Sequence, residues 1–206
     1  MPWSTPSPTP SCRVLRVPEE VTVELLTAVP ASTRSVRSGG RRIVEYDLPF
    51  EDWAISGTAL RALIAARWGA PDPPQQMTAL CAEHPDGAVA SVRRLLGEVP
   101  PDFADGRVAL LLCPIDNDLD CGAISTRVVR GADTVEWRDV GWQVTYEPFV
   151  PELDEFGPLP SFRFDRAQYE GLLRDLLSRY RAMPVDQPRV PDTTIGPRRR
   201  SWFRRR

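Results

Sequence analysis

Five consecutive apolar residues, Val108 to Leu112, run straight into a loop where acids crowd between two cysteines: Arg107 to Gly122 reads RVALLLCPIDNDLDCG. So short an apolar run, without polar alternation and bounded by Gly106 and Pro114, is the pattern of a strand covered on both faces. A chain holding such a strand must supply neighbouring strands to pair its backbone and helices to cover it. The following segments fit the first need. Ala123 to Arg130 (AISTRVVR) is a strand, Gly131-Ala132-Asp133 a turn, and Thr134 to Trp137 the next strand; after an irregularity at Arg138-Asp139 the chain continues extended from Gly141 to Tyr146 (GWQVTY). Together they read as an antiparallel meander.

Helices meet the second need. The strongest pattern opens at Asp165, whose carboxylate suits an N-cap, and carries Tyr169, Leu172, Leu173, Leu176, Leu177 and Tyr180 on one stripe. Ser56 opens a helix bearing Leu60, Leu63, Ile64 and Trp68 and ending at Gly69; Ala88 to Gly97 forms a third, with His84-Pro-Asp-Gly before it as a turn. Upstream, Val21, Val23 and Leu25 alternate as a strand, Ala31 to Arg42 reads as a loop turning at Gly39-Gly40, and Arg42 to Leu48 (RIVEYDL) is the returning strand. Pro49 to Ile55 reads as a link, and Met77 to Cys81 fits a short strand or a helical turn equally. The expected fold class is α+β: a single domain over residues 12–182, with a mainly antiparallel sheet and about three covering helices.

The ends differ in composition. Residues 1–11 are built from Pro, Ser and Thr, which cannot bury enough apolar surface to offset chain ordering, and residues 183–206 return to Pro, Asp, Thr and Arg without a period. Both are expected to be disordered or flexible. All 26 basic residues are arginine, and six of them fall in the last nine positions, leaving 20 arginines against 28 acids in an acidic body. No segment approaches the length of a transmembrane span, the start lacks the pattern of a signal peptide, and four cysteines in such a chain suit reduced thiols. The expected location is therefore cytoplasmic.

The central loop holds the densest ligand chemistry. Cys113, Asp116, Asp118 and Cys121 offer thiolates and carboxylates of the kind that hold Zn²⁺ or a related cation. Against this, the chain has only two thiols here and no CxxC pair or histidine pair at a zinc spacing, so the loop by itself establishes no cofactor. The competing reading is an acidic loop with two inert thiols.

The stretch CPIDNDLDCGAISTRVVRGADTVEWRDVGWQVTYEP resembles a family of uncharacterised actinobacterial proteins with a C-P-x-C-x-D-x-x-C-G loop. In that family a W-x-D-x-G-W motif and then F-D-x-x-Q-Y follow. Trp53 to Gly57, Leu60-Arg61 and Phe164 to Tyr169 are similar to the same pattern. Where the family has its second cysteine this chain has Asp116. The resemblance thus implies either a substitute carboxylate ligand or a lost metal.

Catalytic motifs are lacking. There is no G-x-G-x-x-G after a strand, no G-x-S-x-G elbow, no phosphate loop and no H-E-x-x-H. His84 is the single histidine, available as a base to Cys81 or Cys113 or simply solvated in its turn. Two binding surfaces are conceivable. Trp137, Trp142 and Tyr146 can present an aromatic face on the sheet, or they can pack in the core. The tail residues Arg198, Arg199, Arg200, Trp202, Phe203, Arg204, Arg205 and Arg206 suit nucleic-acid phosphates or an anionic lipid surface, or they act as a solubilising arm. The leading expectation is a non-enzymatic interaction protein whose partner is another protein. Its rivals are a small metal- or thiol-dependent enzyme centred on Cys113 to Cys121 and nucleic-acid or membrane binding through the tail.

Overall fold

A computed structural model describes residues 22–39, 42–151 and 157–184. The expected disordered N-terminus, the acids Glu152, Asp154 and Glu155, and the arginine-rich tail lie outside the described residues. Within them the architecture is α+β, as the periodicities require, but the strands form two antiparallel sheets rather than one.

The first sheet is built on a long hairpin. Strand β1 (Leu26–Gly39) pairs with β2 (Arg42–Ile55) without a break, from Leu26 opposite Ile55 to Gly39 opposite Arg42. Neither the loop expected at Ala31 to Arg42 nor the link expected at Pro49 to Ile55 exists. Both expectations rested on prolines, and the pairing shows why these prolines are tolerated. Pro30 faces Glu51 and Ser32 faces Pro49, two steps apart, so both prolines occupy the same class of pair. In that class the backbone N–H points out of the ladder: Glu51 N–H is donated outward to the Leu80 carbonyl at 2.9 Å. A proline there removes no bond between the strands.

Ile55 then pairs with Thr58 across Ser56 and Gly57, both at positive φ (48° and 86°), the conformation of a tight hairpin turn. Ser56 therefore closes a hairpin instead of opening a helix. The two-residue strand β3 (Thr58–Ala59) leads into helix α1 (Leu60–Trp68). Helix α2 (Pro85–Leu96) begins three residues before the expected start. Proline fits the first helical position because its missing N–H would have had no intrahelical acceptor, so His-Pro-Asp-Gly is the first turn of the helix rather than a separate turn.

The second sheet has the order β4-β5-β6-β7, comprising Val108–Leu111, Ala123–Arg130, Thr134–Gln143 and Phe162–Asp165. All four residues of β4 are buried, as its lack of alternation implies. The irregularity expected at Arg138-Asp139 is present: Asp139 has φ 54° and the β5–β6 register shifts between Ser125 and Arg127. Helix α3 (Arg166–Arg181) is capped by Asp165, which accepts the Gln168 N–H at 2.8 Å.

The core joins the two sheets to α3. Trp53 from β2 meets Trp137 from β6 edge to face at 5.9 Å, and Trp137 meets Phe164 at 5.2 Å. The indole N–H of Trp137 is satisfied in this apolar setting by Tyr169 Oη at 3.2 Å. A second interior feature is Arg107, just before β4 and only 1% exposed. Its guanidinium donates to Ser125 Oγ (2.9 Å), Gln143 Oε1 (3.0 Å) and the Ser125 carbonyl (2.9 Å), and lies 3.8 Å from the Phe149 ring centroid.

Candidate metal centre

The loop between β4 and β5 is fixed before any ligand is considered. Leu112 exchanges both backbone bonds with Met77, at 2.7 and 2.9 Å, which pins the exit of β4. Pro114 is buried, and its carbonyl accepts the Ser35 hydroxyl at 2.7 Å, tying the loop to the long hairpin. Asn117, at φ 53°, donates its N–H to the Cys113 carbonyl at 3.1 Å. Leu119 packs against the small cluster of Phe103, Ala109 and Ala123. At the far end Gly122 has φ 90°, with the Trp142 indole occupying the space a β-carbon would need. That combination admits glycine alone.

On this frame one ligand atom each from Cys113, Asp116 and Cys121 lies within 4.8 Å of the others. Asp116 Oδ2 accepts the Cys121 thiol at 3.0 Å, and its other oxygen accepts the Asp118 N–H at 3.2 Å. The thiol hydrogen bond, helped by that N–H, holds the Asp116 carboxyl below its ordinary range. Conversely, the bond to Asp116 and the surrounding negative charge push the Cys121 thiol up to about 12. The bond to Asp116 thus favours the protonated form of the Cys121 thiol. A cation between the three groups reverses that balance, because it replaces the thiol proton as the positive partner of Asp116. The group can hold a metal ion.

Asp118 is not part of it. Its carboxylate turns along the chain to accept the Asp120 N–H at 2.9 Å, and Asp120 in turn accepts the Thr145 hydroxyl. These local bonds shape the loop, and among the described residues the ligand atoms that converge are those of Cys113, Asp116 and Cys121, three of the four residues expected from spacing.

The expected aromatic face is likewise divided. Trp137 is fully buried in the core, Trp142 is half-buried over Gly122, and of the three Tyr146 alone stands out, 71% exposed. The bulge between them offsets their odd spacing, so Trp137 and Trp142, opposite Val128 and Ile124, share one face; what differs is position, Trp137 lying against Phe164 and Tyr169 in the core and Trp142 at the loop end of the sheet over Gly122. The tail residues proposed as a basic arm lie outside the described residues.

His84 is exposed at the N-terminus of α2, and Cys81 is buried, its thiol pushed up by desolvation and 3.5 Å from the Pro49 carbonyl. Neither belongs to the metal-ligating group. They border a cleft of about 320 Å³ between α2 and the central loop, which sequence reasoning missed. The available signal was the run of small residues Gly87, Ala90 and Ser91 on one face of α2. Comparison of the chain with protein-family models, curated proteins and solved structures gives no match. Among the described residues no helix is long and apolar enough to cross a membrane.

Proposed function

We propose that the chain is a non-enzymatic interaction protein whose central loop is clasped by a zinc-type divalent cation through Cys113, Asp116 and Cys121. The observation carrying this reading is the convergence of the three ligand atoms within 4.8 Å on a loop already anchored at both ends. Two thiolates and a carboxylate suit Zn²⁺ in charge and softness, and a tetrahedral ion retains a fourth position. The acid that replaces a family cysteine at position 116 is then a ligand, not a loss. The hydrogen bond from Cys121 to Asp116, which favours the thiol over the thiolate, weighs against a thiol nucleophile.

The interaction role is supported by what surrounds the clasp. Ile115, between two ligands, is 62% exposed, and Tyr146, next to the Thr145 that bonds the loop, is 71% exposed. A metal that fixes the loop also fixes these apolar side chains for a protein partner. Elemental analysis of protein purified without a His-tag or chelator tests the reading: one zinc per chain in the wild type, and less than a tenth of that in Cys121→Ser. Absence of metal after incubation with Zn²⁺ and dialysis sinks it. The interaction role requires in addition that a partner captured by the loaded protein be lost both on chelation and in Ile115→Asp.

A further inference from the structure

The cleft between α2 and the central loop has the makings of a small-molecule site, and its walls come from three separate parts of the chain. Helix α2 contributes His84, Gly87, Ser91 and Arg94, which recur three and four residues apart and so share one face. The opposite wall is the loop itself, through Asn117 and Leu119, and the floor includes Met77 and Leu112. The volume, about 320 Å³, equals about ten waters at ~30 Å³ each and falls at the lower end of the range of ligand pockets.

The room is built into the sequence. Gly87 is helical with ordinary φ, and a β-carbon placed there meets nothing closer than 4.0 Å, so no backbone requirement explains a glycine in the first turn of this helix. Glycine costs helix stability relative to alanine, and here it lines the cleft without a long side chain that would narrow it.

Charge decides the class of occupant. Arg94 and Asp102 both line the cleft and pair with each other at 2.9 Å, while the other Asp102 oxygen accepts the Ala109 N–H at 3.0 Å. The pair has no net charge. The chain neighbours of Asn117 and Leu119 are the exposed Asp116, Asp118 and Asp120, so the loop that forms this wall is acidic. An anion would meet repulsion from this loop without an unneutralised cation inside.

We propose that this cleft binds a small, mainly apolar molecule that carries no negative charge and has one hydrogen-bonding group. Its apolar body rests on Met77, Leu112 and Leu119, and its polar group meets Ser91 and the Arg94–Asp102 pair. The walls of the cleft do not depend on the metal reading, since none of Cys113, Asp116 and Cys121 lines it.

Phenylacetamide and phenylacetate test this as near-isosteric neutral and anionic probes, titrated into the full chain and followed by backbone amide NMR. The proposal expects saturable shifts at Gly87, Ala90, Ser91 and Asn117 with phenylacetamide, and at least tenfold weaker binding of phenylacetate. Gly87→Leu, which narrows the cleft, and Ser91→Leu, which fills the wall, should each weaken phenylacetamide at least tenfold without lowering the melting temperature. Where a leucine variant melts lower, the wild-type shift map and the phenylacetate comparison decide by themselves, and Gly87→Ala must retain binding. Shifts that do not saturate, that map elsewhere, that favour phenylacetate, or that persist unchanged in a folded leucine variant overturn it.

Discussion

The indole of Trp142 fills the space above the α-carbon of Gly122, so that a β-carbon at position 122 would overlap Cζ2 of the ring. This contact sets where the central loop rejoins the sheet, directly after Cys121. Gly122→Ala meets two penalties at once, the overlap and a φ of 90°. A loss of roughly 2–4 kcal/mol in urea denaturation is expected. Adding Trp142→Ala removes the overlap but not the backbone strain, so the double variant should lose less than the sum of the single losses. Strict additivity would show that the ring does not constrain the loop.

Arg107 links the start of β4 to β5 and β6. Its guanidinium satisfies Ser125 and Gln143 and reaches the Asp139 carbonyl at the β6 irregularity. Arg107→Ala removes the donor to the Ser125 and Asp139 carbonyls and the Phe149 stacking, while Gln143 Oε1 keeps the Ser125 hydroxyl at 2.7 Å, for an expected loss of about 2–4 kcal/mol. Arg107→Lys should recover little, because an ammonium cannot reproduce the planar fork. Thermal denaturation of both variants provides the comparison, and wild-type stability in the lysine variant would refute the geometric requirement.

Asp52 gives the fold a pH dependence. It is 2% exposed, and desolvation pushes its carboxyl from 3.8 to about 6 despite the Arg61 N–H and the Arg61 charge. Between those two values the folded chain keeps a proton that the unfolded chain releases. The Asp52 contribution to stability is therefore full below about pH 4, declines as pH rises, and is lost above about pH 6. Asp52→Asn removes this decline and should raise stability at pH 7 by on the order of 1–3 kcal/mol. Denaturation across pH 4 to 8 measures it; an unchanged slope in the variant would contradict the assignment.

Where a segment's periodicity was strong, the sequence was a sufficient guide. The leucine stripe of α3 with its Asp165 cap, the buried β4 and the β6 irregularity were all legible because each depends on local residue order. The hairpin was not. Pro30 and Pro49 look like strand breakers until the register shows that their missing N–H groups face away from the partner strand, and register is a property of two segments together. His84-Pro-Asp-Gly carried two compatible meanings, turn or helix start, and only the Val92 and Leu95 packing below it decides between them. At the loop, spacing alone placed four ligands together. Removing Asp118 took knowledge of its bond to the Asp120 N–H, which no count of residues supplies.

The loop itself makes a separable prediction about stability. If Cys113, Asp116 and Cys121 share an ion, chelation should lower the melting temperature of the wild type and leave that of Cys121→Ser unmoved, because metal affinity adds to folding free energy only where the ligands exist. A drop of several degrees confined to the wild type is the expected result, read by differential scanning fluorimetry. Equal responses of the two proteins would count against a metal held by this loop.

The most direct measurement is a Co²⁺ titration followed by absorption spectroscopy, because cobalt reports its ligands where zinc is silent. Saturation at one Co²⁺ per chain is expected, with a thiolate-to-cobalt charge-transfer band in the near ultraviolet. The band should vanish in Cys121→Ser, weaken in Asp116→Asn, persist in Asp118→Asn, and be bleached by one equivalent of Zn²⁺. A spectrum without thiolate charge transfer, or one indifferent to Cys121→Ser, would rule out a metal clasped by Cys113, Asp116 and Cys121.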